Sequence, residues 1–297
     1  MKILMTGGSG FIGRHLLEVL LQEGHTLHIV VRASSSLTDI NPAVTIFEHN
    51  GESISLLNYC KDEKFQGIIH LASLFLVEHK STDIETLINS NILFGTQLLE
   101  AATQTDVSWF IDTGTFWQNY QNKEHNPLNL YAATKEALQL IAKSYTHTSS
   151  LKYVTLKLND TFGPHDTRDK IFNLWMKNIN EKEPSLLKMS KGAQIIDISY
   201  IEDVVSAYIT LIEYLNTNTS KVCQNRVFVV SNTQKLSLKA LSTLFEKITQ
   251  RKLHIQWGAR EYREKEIFTP YDQGEAVPNW RQQYSLEESI QKWIKLS

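Results

Sequence analysis

Short apolar runs alternate with amphipathic stretches through the first half of the chain. The apolar runs predict strands at residues 2–5, 26–31, 43–47, 67–71, 107–111 and 152–158. Helical periodicity lies between several of them, at 11–22, 54–60, 84–103 and 130–146. Strands that are apolar throughout and separated by helices predict a parallel sheet covered on both faces. We therefore expect an α/β fold with a doubly wound parallel sheet of the Rossmann type.

The pattern loosens after Gly163-Pro164. Helices are predicted at 171–178, 201–215 and 286–294, and a strand at 226–230. We interpret these segments as alternating between completion of the sheet and a smaller C-terminal substrate-binding lobe. The predicted dinucleotide-binding domain is residues 1–164, with roughly 193–232 interleaved. The predicted lobe is roughly residues 165–192 and 233–297.

Composition excludes several classes of partner. Among 297 residues, 30 Lys plus Arg nearly balance 32 Asp plus Glu, so no strong field attracts nucleic acid or anionic membrane. Cys60 and Cys223 lie far apart without metal-ligand spacing, and no apolar run approaches the ~18 residues of a membrane span. The first predicted strand begins at residue 2 or 3, which leaves no room for a signal peptide. We expect a cytoplasmic protein.

A glycine-rich turn joins the first predicted strand to the first predicted helix, where residues 6–13 are Thr-Gly-Gly-Ser-Gly-Phe-Ile-Gly. Glycines in this context allow a tight turn, close approach of a pyrophosphate and close helix packing. The alternative is an ordinary turn between a strand and a helix. We predict that the turn binds a dinucleotide through Gly7, Gly10, Phe11, Ile12 and Gly13.

The end of the second predicted strand indicates which dinucleotide. A carboxylate there would bind the 2′-hydroxyl of NAD and repel the 2′-phosphate of NADP. The chain has Arg32 followed by Ser34 and Ser35, and no carboxylate before Asp39. An arginine can pair with a 2′-phosphate. NADP(H) is therefore favoured, NAD(H) is possible, and the alternative is a solvated arginine in a serine loop.

Tyr131 and Lys135 are the main candidates for chemistry. They lie in an Ala- and Leu-rich stretch with helical periodicity, where positions i and i+4 share one face. Lys135 is then expected to lower the pKa of Tyr131, so that the phenol exchanges a proton with a carbonyl or alcohol. Tyr153 and Lys157 have the same spacing but lie in a predicted strand, about 13 Å apart. That second pair cannot act together.

Further motifs occur in the order expected of one known family. They are Gly67-Ile-Ile-His-Leu-Ala-Ser73, Asn91-Ile-Leu-Phe-Gly-Thr96, Phe162-Gly-Pro164, and Gly192-Ala-Gln-Ile-Ile-Asp197 followed by Tyr200-Ile-Glu-Asp203. With the glycine turn and the Tyr131/Lys135 pair, they resemble the extended short-chain dehydrogenases/reductases, a group of nucleotide-sugar epimerases, dehydratases and reductases. Leu156-Lys-Leu158 and Phe162-Gly163 are similar to the reductases that make CDP-abequose and CDP-paratose.

The resemblance implies a catalytic set of Thr113, Tyr131 and Lys135. The Thr113 hydroxyl would bond the substrate oxygen beside Tyr131, and Lys135 would also hold the nicotinamide ribose; Thr115 is a rival for the role of Thr113. Leu71 and Ala72 would contact the cofactor. In the 4,6-dehydratases of the group an Asp-Glu pair follows the threonine, whereas this chain has Gly114 and Thr115. A 4,6-dehydratase is therefore not expected.

Substrate contacts depart from the pattern of the group. Ile196 stands where the group usually has an arginine for the nucleotide diphosphate. Arg263, within Arg263-Glu-Lys-Glu266, and Arg281 are candidates to replace it, and the alternative is that both are surface arginines. The resemblance also implies substrate contacts for Thr115, Trp117, Asp160 and His165.

Three functions are compatible with these residues. The first is an NADPH-dependent reductase of the C4 keto group of a nucleotide-activated 4-keto-6-deoxy sugar, in polysaccharide precursor synthesis. The second is a nucleotide-sugar C4 epimerase with retained NAD, and the third is a non-catalytic NADP-binding sensor or assembly protein. The expected partner is a nucleotide-diphosphate sugar, and the resemblance implies a homodimer formed through the helices at 84–103 and 130–146.

Overall fold

The structure is a computed structural model that describes residues 1–296. The strands in this part of the chain are β1 Lys2–Thr6, β2 Thr26–Val31, β3 Thr45–Glu48, β4 Gly67–His70, β5 Trp109–Thr115, β6 Lys152–Leu158, β7 Asp160–Phe162, β8 Leu187–Lys188, β9 Ile195–Ile196, β10 Ile198–Tyr200, β11 Arg226–Val230, β12 Leu236–Ser237 and β13 Ile255–Gln256.

The helices in the same range are α1 Phe11–Gln22, α2 Ser53–Glu63, α3 Ile84–Ile88, α4 Phe94–Thr103, α5 Leu130–Thr146, α6 Ile171–Asn180, α7 Ile201–Thr217, α8 Ser220–Cys223, α9 Leu238–Thr249 and α10 Leu286–Leu296. A π-helical turn at Asn89–Leu93 joins α3 to α4, and short 3-10 turns lie at Ser81–Asp83, Phe116–Gln118 and Tyr120–Asn122. Among residues 1–296, no helix combines the length and the apolar character of a membrane span.

Seven parallel strands form the main sheet of the described chain, in the order β11-β6-β5-β4-β1-β2-β3. The chain proceeds outward in one direction from β1 to β3 and in the other from β4 to β11. The direction changes between β1 and β4, and ligands of doubly wound sheets bind at that point, outside the carboxyl ends of the strands. The predicted doubly wound α/β fold is confirmed.

Side chains that alternate along the strands supply two cores. Ile3 and Met5 face one cluster with Leu16 of α1 and Leu211 of α7, all of them fully buried. Residues of the opposite parity, such as Leu4, Ile68 and Phe110, pack against Leu98 of α4 and Leu138 of α5. The sheet is therefore covered on both faces, and its carboxyl edge lies between the two helical layers.

The chain beyond β6 builds further structure around short strand pairs, β7 with β10, β9 with β12 and β8 with β13. Aromatic rings from three helices pack together there: Phe172 of α6 lies 5.8 Å from Phe245 of α9 and 5.7 Å from Trp293 of α10, between ring centroids. β11 returns to the main sheet beside β6. The division into two domains at the predicted boundaries stays a prediction.

Several elements differ from the sequence-based prediction. The predicted helix at 84–103 is interrupted by the π-helical turn at Asn89–Leu93. β5 continues to Thr115 because its polar residues keep pairing with β6, Asp112 opposite Thr155 and Thr113 opposite Leu156. The helix α9 was not predicted, although Ser237 caps it and its apolar residues recur with helical spacing.

Candidate active site

The turn between β1 and α1 excludes side chains at two positions. Gly7 has a φ of +72°, and a Cβ atom there would lie 2.7 Å from the backbone nitrogen of Ala72. A Cβ atom at Gly13 would lie 2.2 Å from the carbonyl oxygen of Gly7. The first turn of α1, with Phe11 and Ile12, therefore lies directly against the end of β1. This geometry suits a pyrophosphate bound at a helix N-terminus.

Polar contacts hold the ends of β1 and β4 together. The Thr6 hydroxyl lies 2.7 Å from Nδ1 of His70 and accepts a hydrogen bond of 3.1 Å from the backbone of Ala72. Burial, with the nearby charge of Lys135, holds the pKa of His70 well below its usual range. The contacts place Leu71 and Ala72 against Gly7, so these predicted cofactor contacts lie together.

The chain after β2 leaves a guanidinium exposed. The backbone of Arg32 donates to the Ser35 hydroxyl over 3.1 Å, which forms a turn in which Arg32 and Ser34 are exposed. Within residues 1–296 the Arg32 side chain has no hydrogen-bond or ion-pair partner. Asp39, the nearest carboxylate in the sequence, is held 3.1 Å from Arg14. The positive charge beside the end of β2 is therefore not neutralised by Asp39.

Tyr131 lies in the first turn of α5, which begins after Asn129; the Asn129 side chain caps the helix by accepting from the backbone of Ala132. The side chain of Tyr131 is 9% exposed. Its ring meets those of Phe75 and Trp117 edge-on, with centroids 5.0 Å and 6.3 Å away. The Ser73 hydroxyl forms a hydrogen bond with the phenol. The phenol is therefore held in one orientation near the ends of β4 and β5.

The electrostatic prediction for Tyr131 is wrong. Burial raises the pKa of Tyr131 to about 12, the hydrogen bond with Ser73 lowers it, and the charge of Asp112 raises it. The ammonium of Lys135 lies beside Asp112, with Nζ 4.0 Å from Oδ1. In the protein by itself, Tyr131 is therefore a protonated phenol over the neutral pH range, suited to donate a proton.

Lys135 is buried without direct hydrogen bonds. Its side chain is 1% exposed, and neither Nζ nor Oδ1 of Asp112 has a hydrogen-bond partner in the described chain. Burial lowers the pKa of Lys135 and the charge of Asp112 raises it. An ammonium with unused donors beside Asp112 can hydrogen-bond the hydroxyls of a nicotinamide ribose.

The second Tyr-x-x-x-Lys pair lies in β6, as predicted. The hydroxyl of Tyr153 donates to Oδ2 of Asp112 over 3.1 Å, whereas Nζ of Lys157 donates to Asn119 over 2.6 Å. The two side chains therefore have different partners and do not act together. Tyr153 instead fixes the carboxylate that faces Lys135.

The two candidate threonines have different hydrogen bonds. The half-buried Thr113, near the end of β5, has its hydroxyl oxygen 2.6 Å from the hydroxyl of Tyr208. The Thr115 hydroxyl accepts from the backbone of Trp117 over 3.3 Å and caps the 3-10 turn Phe116–Gln118. The hydroxyl of Thr115 is engaged by its own backbone turn, so the geometry favours Thr113 as a group that faces a substrate.

Gly114 lies where the dehydratases of the resembled group have a carboxylate. A Cβ atom at this position would lie 2.7 Å from the side chain of Gln118, 2.8 Å from that of Thr155 and 2.9 Å from that of Lys157. The surrounding side chains therefore crowd the space that a larger residue would need at this position. This geometry agrees with the expectation that the protein is not a 4,6-dehydratase.

A cavity of about 310 Å³ opens beyond the ends of β5 and β7. Three of the predicted substrate contacts line it, namely Trp117, Asp160 and Arg263. Further cations on its wall are Lys188, Arg260 and Lys265. The cavity also includes Ile196, so the position of the missing arginine does face this space. Four carboxylates line the cavity as well, those of Asp160, Asp197, Glu261 and Glu266, so its cations lie among anionic groups.

Other predicted contacts lie outside this cavity. Thr115 and Arg281 do not line it, and His165 lies instead in a separate groove beside α1 and α7. Thr115 and His165 therefore do not line this cavity with Trp117, and their substrate contacts stay predictions. The reason is local, because Thr115 caps its turn and His165 adopts a left-handed backbone, with a φ of 62°, after Pro164.

Three residues of the site were not singled out from the sequence. Ser73 ends a quoted motif, so its position was visible although its bond to Tyr131 was not. Asp112 precedes Thr113 in the sequence, and a polar residue in an apolar strand was a usable signal. Tyr208 follows Thr113 by 95 residues, and nothing in the local pattern connects the two.

Comparison with known proteins agrees with this geometry. Residues 3–230 match the family described as the NAD dependent epimerase/dehydratase family. The chain belongs to this family. As a member of the epimerase/dehydratase family, the protein is an enzyme of the oxidoreductase type that uses a nicotinamide dinucleotide.

Curated relatives within the epimerase/dehydratase family align over nearly the whole chain. The CDP-abequose synthase of Salmonella typhimurium is 24% identical, with 99% of this chain and 97% of the relative covered. That of Salmonella muenchen is 26% identical, with the same coverage. The UDP-glucuronate 4-epimerase 5 of Arabidopsis thaliana is 24% identical, with 85% of this chain but 64% of the relative covered.

Solved structures show the same fold. The UDP-glucose 4-epimerase of Thermotoga maritima, solved with UDP-glucose, is 20% identical and superposes with a TM-score of 0.85 over 100% of this chain and 98% of that one. The UDP-glucuronic acid 4-epimerase of Bacillus cereus, solved with UDP-glucuronic acid and NAD, is also 20% identical, with a TM-score of 0.81 and the same coverage. The epimerase/dehydratase fold is therefore complete in this chain.

Proposed function

We propose that the protein is an NADPH-dependent reductase of the C4 keto group of a nucleotide-activated 4-keto-6-deoxy sugar, acting in polysaccharide precursor synthesis. The observation that carries the proposal is the full-length alignment with the CDP-abequose synthases, which covers 97% of each relative. The sequence motifs already resemble the reductases that make such sugars. Thr113, Tyr131 and Lys135 supply the groups that a carbonyl reduction requires.

The chemistry follows from the states of these groups. NADPH supplies a hydride to the carbonyl carbon when it is bound. Tyr131, a phenol with a raised pKa, transfers its proton to the oxygen that becomes the new hydroxyl. Thr113 donates a hydrogen bond to that oxygen and stabilises its developing negative charge. Lys135 holds the nicotinamide ribose through its unused ammonium donors.

Arg32 supports NADPH over NADH as the source of the hydride. Its exposed guanidinium lies beside Ser34 and Ser35 at the end of β2, where a 2′-phosphate of the adenosine would lie. Asp39 is held by Arg14 and does not neutralise Arg32. A charge-assisted hydrogen bond to the 2′-phosphate would contribute about 2 kcal/mol. We therefore expect faster turnover at low concentrations of NADPH than of NADH.

The cavity supports a nucleotide-diphosphate sugar as the substrate. Trp117 offers a flat apolar surface, and four cations, which lie among four carboxylates, are available to a diphosphate although Ile196 replaces the arginine of the resembled group. These cations are Lys188, Arg260, Arg263 and Lys265. We propose that Arg263, Trp117 and Asp160 contact the substrate.

Turnover assays test the proposal directly. The protein is mixed with NADPH or NADH and a panel of CDP-, dTDP- and GDP-linked 4-keto-6-deoxyhexoses, and the absorbance of the reduced nicotinamide is followed. We expect absorbance loss with at least one sugar, faster with NADPH. Conversion of a sugar without net oxidation of NADPH, with NAD retained on the protein, would instead indicate an epimerase. No conversion of any sugar would remove the proposal.

Two variants of α5 provide the internal control. Tyr131→Phe removes the proton donor and should lower turnover about 100-fold or more, the usual size of general acid catalysis. Tyr145→Phe makes the same change on the same helix, where the hydroxyl bonds to Glu100 away from the site. Turnover should be unaffected by Tyr145→Phe. Equal losses in the two variants would contradict the role of Tyr131.

A further inference from the structure

A tyrosine from the opposite face of the sheet reaches the catalytic edge. Tyr208 lies on α7, is fully buried, and has its hydroxyl 2.6 Å from the hydroxyl of Thr113. The other buried residues that follow Asp203 on this helix are apolar, among them Val204, Ala207 and Leu211. Tyr208 therefore brings a polar atom through an apolar layer to one end of β5.

Packing alone does not account for this hydroxyl. A phenylalanine would fill nearly the same volume, and a buried hydroxyl destabilises a core unless it makes a hydrogen bond. The Tyr208 hydroxyl makes that bond with a residue of the proposed catalytic set. The contact is short for an O–H···O hydrogen bond, whose usual length is about 2.7–2.8 Å.

The acidity of the two groups bears on the direction of the hydrogen bond. Burial raises the pKa of Tyr208, so its hydroxyl keeps its proton, and Thr113 is its hydrogen-bond partner within residues 1–296. A phenol is a better donor than an aliphatic hydroxyl. Either hydroxyl can be the donor in this contact; with Tyr208 as the donor, the proton of Thr113 stays free for another acceptor. Thr113 is half-buried near the end of β5, so it is partly accessible there.

We propose that Tyr208 is a positioning residue of the active site. By donating to Thr113, it holds the threonine hydroxyl in the rotamer that donates to the substrate oxygen. A donor whose oxygen already accepts a hydrogen bond is also polarised, which strengthens its own bond. The inference rests on the proposed carbonyl chemistry and extends the set of Thr113, Tyr131 and Lys135 to a fourth residue that does not touch the substrate.

A double-mutant cycle tests this role. Tyr208→Phe, Thr113→Val and the double variant are compared with the unchanged protein under saturating NADPH and the sugar that it reduces fastest. Tyr208→Phe should lower kcat about tenfold and leave the KM for the sugar and the Kd for NADPH unchanged. In the Thr113→Val background, the same change should have no further effect on kcat. A residue that only fills space would not show this dependence on Thr113.

Tyr200→Phe is the matched control, because Tyr200 is also fully buried and its hydroxyl bonds to Glu202 rather than to the site. Wild-type kcat in Tyr208→Phe, or an equal loss of kcat with and without Thr113, would overturn the inference. If the unchanged protein converts no sugar, the proposed function fails by itself. The contact between Tyr208 and Thr113 is then tested by the same double-mutant cycle, with the free energy of unfolding in urea as the measured quantity. A coupling energy of zero between residues 208 and 113 would overturn the inference.

Discussion

At the scale of single residues, the carboxylate of Asp112 influences both titrating members of the proposed catalytic set. Burial lowers the pKa of Lys135, and the charge of Asp112 raises it. Burial raises the pKa of Tyr131, and the charge of Asp112 raises it further. Asp112 therefore favours the protonated state of each group. Reduction of a carbonyl needs both in that state, Tyr131 as the acid and Lys135 as the cation.

Asp112→Asn gives a pH prediction with a definite sign. Without the carboxylate, the pKa values of Lys135 and Tyr131 both fall, so both groups lose their protons at a lower pH. The alkaline limb of the kcat/KM profile for reduction should therefore move to lower pH. Asp106→Asn, an equal change of charge at an exposed position before β5, should leave the profile unchanged. An unmoved alkaline limb in Asp112→Asn would contradict the prediction.

The residues of the site differ in how far the sequence reveals them. Tyr131 and Lys135 are four positions apart on one helix, and local periodicity is sufficient to pair them. Ser73 and Tyr208 contact Tyr131 and Thr113 only after β4, β5, α5 and α7 have packed. The contact between Lys135 and Asp112 could not be predicted either, because it depends on a carboxylate from another strand. Contacts of this kind require the register of the sheet, which the sequence pattern does not contain.

At the scale of elements, the first turn of α1 is fixed against the end of β1. The carbonyl oxygen of Gly7 occupies the space that a side chain at Gly13 would need. That oxygen belongs to the backbone, so relief would require a shift of the whole helix. The orientation of α1, and with it the cofactor turn, therefore depends on the absence of a single methyl group.

Gly13→Ala should destabilise the protein by roughly 3 kcal/mol and weaken binding of the dinucleotide, because overpacking against backbone is poorly accommodated. Gly24 is the comparison, since a Cβ atom there meets nothing within 4 Å, although its φ is +78°. Gly24→Ala should cost about 1 kcal/mol, the strain of a left-handed alanine. Urea unfolding and NADPH titration measure both effects. Equal losses of stability in the two variants would contradict the prediction, because they would mean that the surrounding structure shifts to accommodate the methyl group at residue 13.

Strands were predictable from the sequence where successive residues are buried on both faces of the sheet. The strands that became β1, β2, β4 and β6 are apolar and lie inside the sheet, so their sequences show their burial. The strands β8, β9, β12 and β13 have two residues each, which is too short for any periodic signal. The end of β5 was missed because Asp112 and Thr113 are polar residues whose partners lie on β6 and α7.

At the scale of the whole molecule, large apolar side chains remain exposed on neighbouring helical segments. Leu140 of α5 is 63% exposed, Leu93 of the π-helical turn 47%, and Ile84 of α3 42%. The other side of α5 packs on α4, where Leu138 meets Gly95. We propose that the exposed side pairs with a second copy of the chain, the homodimer that the family resemblance implies.

Leu140→Asp should therefore lower the mass in solution from that of two chains to that of one, because a carboxylate buried in the apolar contact has no partner. Light scattering after gel filtration measures the mass. Ile54→Asp is the control, since Ile54 is 59% exposed on α2, away from α5. A single-chain mass for the unchanged protein, or an unaffected dimer in Leu140→Asp, would contradict the proposed pairing.

The buried side chain of Asn91 connects two segments that carry residues of the candidate site. Its amide exchanges hydrogen bonds of 2.7 and 3.0 Å with the backbone of Leu74, and it donates to the Thr134 hydroxyl over 2.9 Å. Asn91 thus links the loop that carries Ser73 to the helix that carries Tyr131 through direct hydrogen bonds. One buried amide therefore fixes how the segment that follows β4 sits against the first turn of α5.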